Sequence, residues 1–209
     1  QRADGRYIWI KSHVTVLKEV GKPEMLRGLM IDITANKRMG EIDYLERRIF
    51  ELNAKNQLPL KEILIEYVRG IESIFPKMQC SILEVKHNRL YTWAAPSLPV
   101  SYVKAIEGLD IGKSIGSCGA AAFLKQPVII DDISNDFRWA SHRGVALKAN
   151  LKACWSYPIL DAQGEVMATF GIYYNQPKSP GDEEVAIIAR ATSLLSVILE
   201  NRKISTSLK

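Results

Sequence analysis

A strong alternation of side chains between two faces marks the first part of the chain. From Arg6 to Val20 the sequence RYIWIKSHVTVLKEV alternates with a period of two, which predicts a β-strand. A turn at residues 21–23 follows, and Met25 to Ile33 predicts a second strand that returns antiparallel to the first. Because two strands alone are marginally stable in water, we expect this hairpin to be the end of a sheet whose other strands are missing.

The next two segments have helical periodicity. Between Ile42 and Leu52, isoleucine and leucine recur at spacings of three and four among charged residues, which predicts an amphipathic helix. Two interpretations stay open: a helix lying on its own domain, or one strand of a parallel two-chain coiled coil. A further apolar face from Leu60 to Phe75, after Pro59, predicts a second helix.

Short strands and a final helix make up the rest of the chain. The strand predictions are Gln79 to Glu84, Arg89 to Trp93, Val128 to Asp131, Ala153 to Leu160 and Glu165 to Tyr174. Ser179 is expected to cap the last helix, with Pro180 at its first position. The order predicts an α+β fold: an antiparallel sheet of about six strands, with the N- and C-terminal helices on one face and crossover loops and short helices on the other.

Composition and charge exclude several classes of protein. The 209 residues are 47% hydrophobic and 24% charged, as in ordinary soluble domains. No apolar run approaches the roughly 18 to 20 residues of a membrane-spanning helix. The net charge of +5 comes from interspersed opposite charges rather than a basic stripe, so nucleic-acid binding is not expected. The chain begins with Gln1 and shows no leader, which suggests a piece of a longer protein.

The cysteines point away from metal binding and from disulfide scaffolding. Cys80, Cys118 and Cys154 show neither CxxC nor Cys/His ligand spacing, so no metal site is predicted. An odd number of scattered thiols fits the reducing cytoplasm, which is the expected location.

Three stretches of the chain resemble a GAF domain. They are IGKSIGSCGAAAFLKQPVIIDDISNDFRWASHR from Ile111 to Arg143, LKACWSYPILDAQGEVMATFGIYY from Leu151 to Tyr174, and NQPKSPGDEE before the last helix. GAF domains of bacterial signalling proteins similarly carry a Gly-Ser-Cys-Gly turn and a Trp-Ser-x-Pro-Ile strand. The segment DGRYIWIKSHVTVLKEVGKPEMLRGLMIDITANKR resembles the final strands of a PAS domain.

These resemblances imply a domain organisation and a function. Residues 1–36 would be the C-terminal end of a PAS domain, 37–58 a linker signalling helix, 59–203 the GAF domain, and 204–209 the start of a downstream linker. The chain would be a non-catalytic sensory module of a bacterial signal-transduction protein, with a histidine kinase or a cyclic-di-nucleotide enzyme as output. A homodimer through the terminal and linker helices is expected, and any cofactor remains unknown.

A ligand pocket is the main functional hypothesis. It would combine aromatic walls with a cationic anchor, contributed by Cys118, Trp139, His142, Arg143 and either Tyr157 or Tyr173. Ser141 stands where bilin-binding GAF domains carry a cysteine, so a covalent bilin is not expected.

Each of these residues also has a plain structural interpretation. The aromatic side chains could be ordinary core. Cys118 could pack a tight turn or act as a redox-sensitive thiol, and His142 could be a surface or capping residue. Two other functions stay open. The chain could be a ligand-free dimerisation module, or an enzyme resembling the GAF proteins that reduce free methionine sulfoxide. The second needs a resolving pair of cysteines, and the three here share no close spacing, so no enzyme is predicted.

Overall fold

A computed structural model describes residues 8–17, 25–55 and 57–207, with side chains to residue 203. The chain divides into two compact units, residues 1–45 and 46–209, each described by itself. The strands are β1 (Ile10–Leu17), β2 (Met25–Asp32), β3 (Gln79–Lys86), β4 (Arg89–Ala94), β5 (Val128–Ile130), β6 (Ala153–Leu160) and β7 (Val166–Tyr174). The helices are α1 (Thr34–Lys55), α2 (Leu60–Ile74), α3 (Val100–Ile106), α4 (Gly116–Leu124), α5 (Arg143–Lys148) and α6 (Asp182–Ser207), and a short 3-10 helix covers Phe137–Trp139.

The first unit contains the predicted hairpin. β1 and β2 are antiparallel, with Ile10 opposite Asp32 and Leu17 opposite Met25. The predicted turn and both ends of the longer predicted first strand lie outside the described residues. Every residue of the two strands is exposed, so the hairpin buries none of its own apolar side chains. Its assignment to the end of a PAS domain stays a prediction.

The C-terminal half of α1 lies along α6 within the second unit. Ile49 is fully buried there. Arg190 donates a hydrogen bond to Glu46 at 2.5 Å, and Arg202 donates one to Asn53 at 2.7 Å. This half of the helix therefore packs on its own domain, as the first of the two interpretations predicts, and the two-chain coiled coil stays a prediction.

The main sheet has five antiparallel strands in the order β4-β3-β7-β6-β5. The predicted fold class is confirmed, with five strands in this part of the described structure where about six were expected. β6 has the predicted bounds. Its register with β7 places Cys154 opposite Tyr173, and that of β3 with β7 places Ser81 opposite Gly171.

The two faces of this sheet carry different elements. The long helices α2 and α6 pack on one face, where Tyr174 donates a hydrogen bond to Glu184 of α6. The short helix α4 packs on the other face, where Cys118 lies against Ser156 of β6. Alternation along the strands then assigns each side chain to one face: Cys154, Ser156 and Tyr173 face α4.

The last helix starts later than predicted. It begins at Asp182 rather than at Pro180, and Ser179 is not its cap. The Ser179 hydroxyl instead donates a hydrogen bond to Asp131 at 2.8 Å, and the Glu184 carboxylate accepts from the backbone N–H of Gly181 at 2.9 Å. A side chain inside the helix thus satisfies the free N–H that Ser179 was expected to satisfy.

No helix among the described residues is long and apolar enough to cross a membrane.

The carboxylate of Glu184 should make the stability of this unit sensitive to acid. Burial opposes its ionisation, but hydrogen bonds from Gly181, Lys178 and Tyr174 outweigh burial and hold its pKa below the usual value. A depressed pKa stabilises the fold above the unfolded pKa, and that stabilisation is lost as the pH falls through the folded pKa.

We therefore expect the Glu184→Gln variant to lose less unfolding free energy than the wild type between pH 7 and pH 4, by about 1 kcal/mol after allowance for solvent screening. Urea unfolding at a series of pH values measures this. Glu62→Gln, an exposed carboxylate in the first turn of α2, is the matched control and should follow the wild type. Equal acid sensitivity of Glu184→Gln and the wild type would contradict the assignment.

Candidate functional site

A cavity lies between α3, the first turn of α4, the 3-10 helix and the α4-facing side of the sheet. Counted together with the open solvent at its mouth, the cavity has a volume of about 330 Å³, and its interior has room for about one water. Apolar side chains form most of the wall, including Leu83, Leu90, Ile106 and Leu109.

Four consecutive residues of α4, Gly116 to Gly119, line the cavity. Gly116 has φ +54°, which brings the chain into the helix from the left-handed region that favours glycine. The Ser117 hydroxyl donates to the carbonyl oxygen of Cys154 at 3.2 Å and accepts from the indole N–H of Trp139 at 3.1 Å. The first turn of α4 is therefore tied both to β6 and to the 3-10 helix.

The Cys118 thiol lies at the centre of a buried polar network. Its sulfur is 3.1 Å from the Ser156 hydroxyl and 3.7 Å from the Tyr173 hydroxyl. The Tyr173 hydroxyl is in turn 3.3 Å from that of Ser81. The Cys154 sulfur lies 3.7 Å from the same Ser156 hydroxyl. The fold thus brings two thiols together that are far apart in the sequence.

The two thiols differ in acidity. Hydrogen bonds from the Cys154 thiol, and then from Ser156 and Tyr173, lower the pKa of Cys118 although burial opposes its ionisation. Burial, followed by the neighbouring Cys118 sulfur, raises the pKa of Cys154 well above its usual value. Cys118 is therefore the thiol that ionises first.

His142 carries an unpartnered buried atom beside the cavity. Its ring lines the cavity, and its Nδ1 is buried without a hydrogen-bond partner among the described residues. A buried ring nitrogen left unpaired costs free energy, about 1 to 3 kcal/mol. The position is fixed by the backbone, because the His142 N–H donates to Trp139 and its carbonyl accepts from Ala146.

Four predicted site residues meet at the cavity, and two do not. Cys118, Trp139, His142 and Tyr173 line it. Tyr157 lies on the other face of β6 by alternation from Ser156, so Tyr173 is the one of the two predicted tyrosines that lies at the cavity.

The proposed cationic anchor, Arg143, has a structural use instead. Its guanidinium donates to the backbone oxygens of Ile133 at 3.2 Å and Asp136 at 3.0 Å, outside the cavity wall. Here it holds the loop that leads into the 3-10 helix. The sequence shows which side chains could pair with an arginine, but it does not show that backbone carbonyl groups of a loop would bind Arg143.

Several residues of the site were missed by sequence reasoning. They are Ser81, Tyr102, Ser117, Cys154 and Ser156. The period-two pattern of β6 already placed Cys154 and Ser156 on one face, but nothing in the sequence showed that Cys118 would pack against that face. Tyr102 meets the Tyr173 ring edge-on, with ring centroids 5.8 Å apart.

The described residues contain no group of three or more His, Cys, Asp or Glu side chains that could hold a metal ion. The polar groups of the site are thiols, hydroxyls and one imidazole.

Comparison with known proteins gives a family match and a relative. The family model of the GAF domain matches residues 57–200. The chain is 32% identical over 193 residues to a methyl sulfide methyltransferase-associated sensor of Methanosarcina acetivorans. The alignment covers 91% of this chain and 19% of that protein, so the chain spans about a fifth of this relative's length.

Solved structures share the fold at low sequence identity. The GAF domain of a phosphoenolpyruvate-protein phosphotransferase from Coxiella burnetii superposes with a TM-score of 0.63 at 18% identity, covering 81% of this chain and 98% of that one. The fRMsr of Staphylococcus aureus, in complex with substrate, gives a TM-score of 0.57 at 16% identity, covering 75% and 94%. At these identities the likeness shows the fold alone.

The close approach of α4 to β7 depends on a glycine, and this can be tested. A Cβ on Gly171 would lie 2.8 Å from the Ser81 hydroxyl and 3.1 Å from the Cys118 sulfur. Gly171→Ala should therefore lower the unfolding free energy by about 2 kcal/mol through overpacking. Gly144→Ala in α5 is the control, since its Cβ would meet nothing within 4 Å and alanine favours a helix. Urea unfolding measures the unfolding free energy of both variants. Equal stability of the two would contradict this account of the packing.

Proposed function

The chain belongs to the GAF domain family, and on that premise we propose that it is a sensory module without catalysis of its own, which binds a small molecule in the cavity beside Cys118 and His142. The observation that carries the proposal is the unpartnered Nδ1 of His142 at the cavity wall. A buried polar atom without a partner is costly, and a ligand that pairs with it recovers that cost on binding.

The residues of the cavity wall indicate the chemistry of the ligand. Most of it is aliphatic or aromatic, which suits a small apolar body. The polar groups gather at one side, where the first turn of α4 presents backbone amides and the positive end of its dipole. A molecule of few heavy atoms with one oxygen or other acceptor fits this arrangement. A tetrapyrrole or a nucleotide far exceeds the room available.

Strand β6 provides a route from the cavity to the terminal helix. Cys154 and Ser156 face the cavity side, and Trp155 between them faces α6. The Trp155 indole donates to the backbone oxygen of Lys178 at 2.9 Å and lies 4.8 Å from the Tyr174 ring, whose hydroxyl donates to Glu184 of α6. A ligand that favours one position of β6 by 1 to 3 kcal/mol would shift the position of α6 by the same free energy.

The wider setting is part of the proposal. The chain would work inside a longer signalling protein, with the end of a PAS domain before it and a histidine kinase or a cyclic-di-nucleotide enzyme after it. Its terminal and linker helices would join two copies into a homodimer in the cytoplasm. The sensor name of the Methanosarcina relative supports the sensory role.

One observation favours a second function. The adjacency of Cys118 and Cys154 supplies the thiol pair that a methionine sulfoxide reductase needs, although sequence spacing had argued against it. Turnover of free methionine sulfoxide with dithiothreitol, abolished in Cys118→Ser, would support that activity over a purely sensory role.

The sensory proposal predicts an unusual response to the loss of His142. His142→Phe keeps the ring shape and removes the unpaired nitrogen, so the free protein should be as stable as the wild type or more stable, with a Tm unchanged or raised by a few degrees. The thermal shift caused by any ligand should be lost. Scanning fluorimetry with small carboxylates, amides and methyl sulfides measures both effects.

His13→Phe is the control, since His13 is exposed in β1. It should keep the wild-type ligand response. A ligand response retained in His142→Phe would contradict the assigned site. If no compound shifts the wild type, the ligand-free dimerisation module becomes the better account.

A further inference from the structure

Two free thiols meet at the buried junction of α4 and β6. Cys118 and Cys154 lie within hydrogen-bonding distance of the same oxygen, the Ser156 hydroxyl, at 3.1 and 3.7 Å. Both are reduced in this structure. They are held on opposite sides of one interface, because Cys118 belongs to a helix and Cys154 to the sheet.

The two thiols have unequal access to the cavity. Cys118 is part of the cavity wall, whereas Cys154 is fully buried behind it. A small molecule that enters the cavity from solvent therefore reaches Cys118 before Cys154. The room for about one water limits such a molecule to a few atoms, which suits hydrogen peroxide.

We propose that Cys118 and Cys154 form a peroxide-sensitive thiol pair, in which Cys118 is oxidised through the cavity and Cys154 resolves it to a disulfide between α4 and β6. The inference does not require the ligand proposed above.

The chemistry balances with hydrogen peroxide as the only oxidant. The Cys118 thiolate attacks one peroxide oxygen, the O–O bond breaks, and the departing hydroxide takes the proton that the thiol released, giving a sulfenic acid and water. The Cys154 thiol then attacks the Cys118 sulfur, the S–O bond breaks, and the second hydroxide leaves with the Cys154 proton as water. Two thiols are oxidised by two electrons, and one peroxide is reduced to two waters.

The surroundings favour this order of events. The hydroxyls of Ser156 and Tyr173 stabilise negative charge on the Cys118 sulfur. A disulfide needs its sulfurs at about 2.05 Å, so oxidation must draw the first turn of α4 and strand β6 together. Because both elements border the route from cavity to α6, the bond would change what the module transmits.

Cys80 provides an internal control in the same chain. Like Cys154 it is fully buried, but it lies on the opposite face of the sheet, where its backbone N–H donates to Glu72 of α2. No thiol network surrounds it among the described residues, and burial raises its pKa well above the usual value. A general effect of peroxide on buried thiols would oxidise Cys80 as readily as Cys118.

The test treats the purified full chain with hydrogen peroxide, alkylates the remaining thiols and maps them by peptide mass spectrometry. We expect an intramolecular Cys118–Cys154 disulfide, formed at least about tenfold faster than any oxidation of Cys80, and reversed by dithiothreitol. Cys154→Ser should accumulate a sulfenic acid on Cys118 that a dimedone probe captures. Cys118→Ser should leave Cys154 reduced under the same conditions.

The wild-type measurement needs no variant, so misfolding of a variant cannot obscure it. Equal oxidation rates of Cys80 and Cys118, or disulfides formed only between chains, would overturn the proposal. The ligand screen is a separate measurement. If it finds no ligand, the sensory proposal fails, and the oxidation of the thiol pair is still tested by the peptide mapping.

Discussion

The site depends on one constraint: polar groups buried between α4 and the sheet must find partners within a few ångströms. The four buried polar residues of the described structure, Ser81, Ser117, Ser156 and Thr169, all lie at or beside this junction. The hydroxyls of Ser81, Ser117 and Ser156 pair there with tyrosine, backbone and thiol groups and hold the helix in place, whereas the Thr169 hydroxyl has no hydrogen-bond partner among the described residues. Gly171 permits the approach, because any Cβ there would occupy the space of Ser81 and Cys118. The shape of the cavity follows from where this network holds α4.

The same network joins the cavity side of the sheet to the side where α6 packs, along the route that we propose for the signal. Strand β6 carries thiol and hydroxyl side chains toward α4, and Trp155 toward the start of α6. Successive residues of a strand point to opposite faces and cannot move independently, since the backbone joins them. In the proposed relay, a change in the pairing of Ser156 would displace Trp155, whose indole donates a hydrogen bond to the segment that leads into α6.

Local patterns predicted the strands and the long helices well, and the site only partly. The mostly apolar run that gave β6 its bounds reflects a strand covered on both faces, and the period of two along any strand puts Cys154 and Ser156 on one face. The meeting of Cys118 with that face could not be predicted, because it depends on how the chain crosses from β4 to β5 and not on spacing. Arg143 failed as a ligand anchor for a related reason: the backbone oxygens that hold it come from a loop with no regular pattern. Ser179 is not the cap, because the Glu184 carboxylate inside the helix accepts the hydrogen bond from the backbone N–H of Gly181.

The polar character of the junction itself argues for function. A net hydrogen bond contributes about 1 kcal/mol to stability, and apolar side chains of similar shape would serve as well or better at holding α4 to the sheet. Here α4 is instead held to the sheet through hydrogen bonds among thiols and hydroxyls, centred on Cys118. The groups at such a junction can pair in more than one hydrogen-bonding arrangement, whereas an apolar junction is held by packing alone. Because α4 also forms the cavity wall, chemistry in the cavity can select among those arrangements.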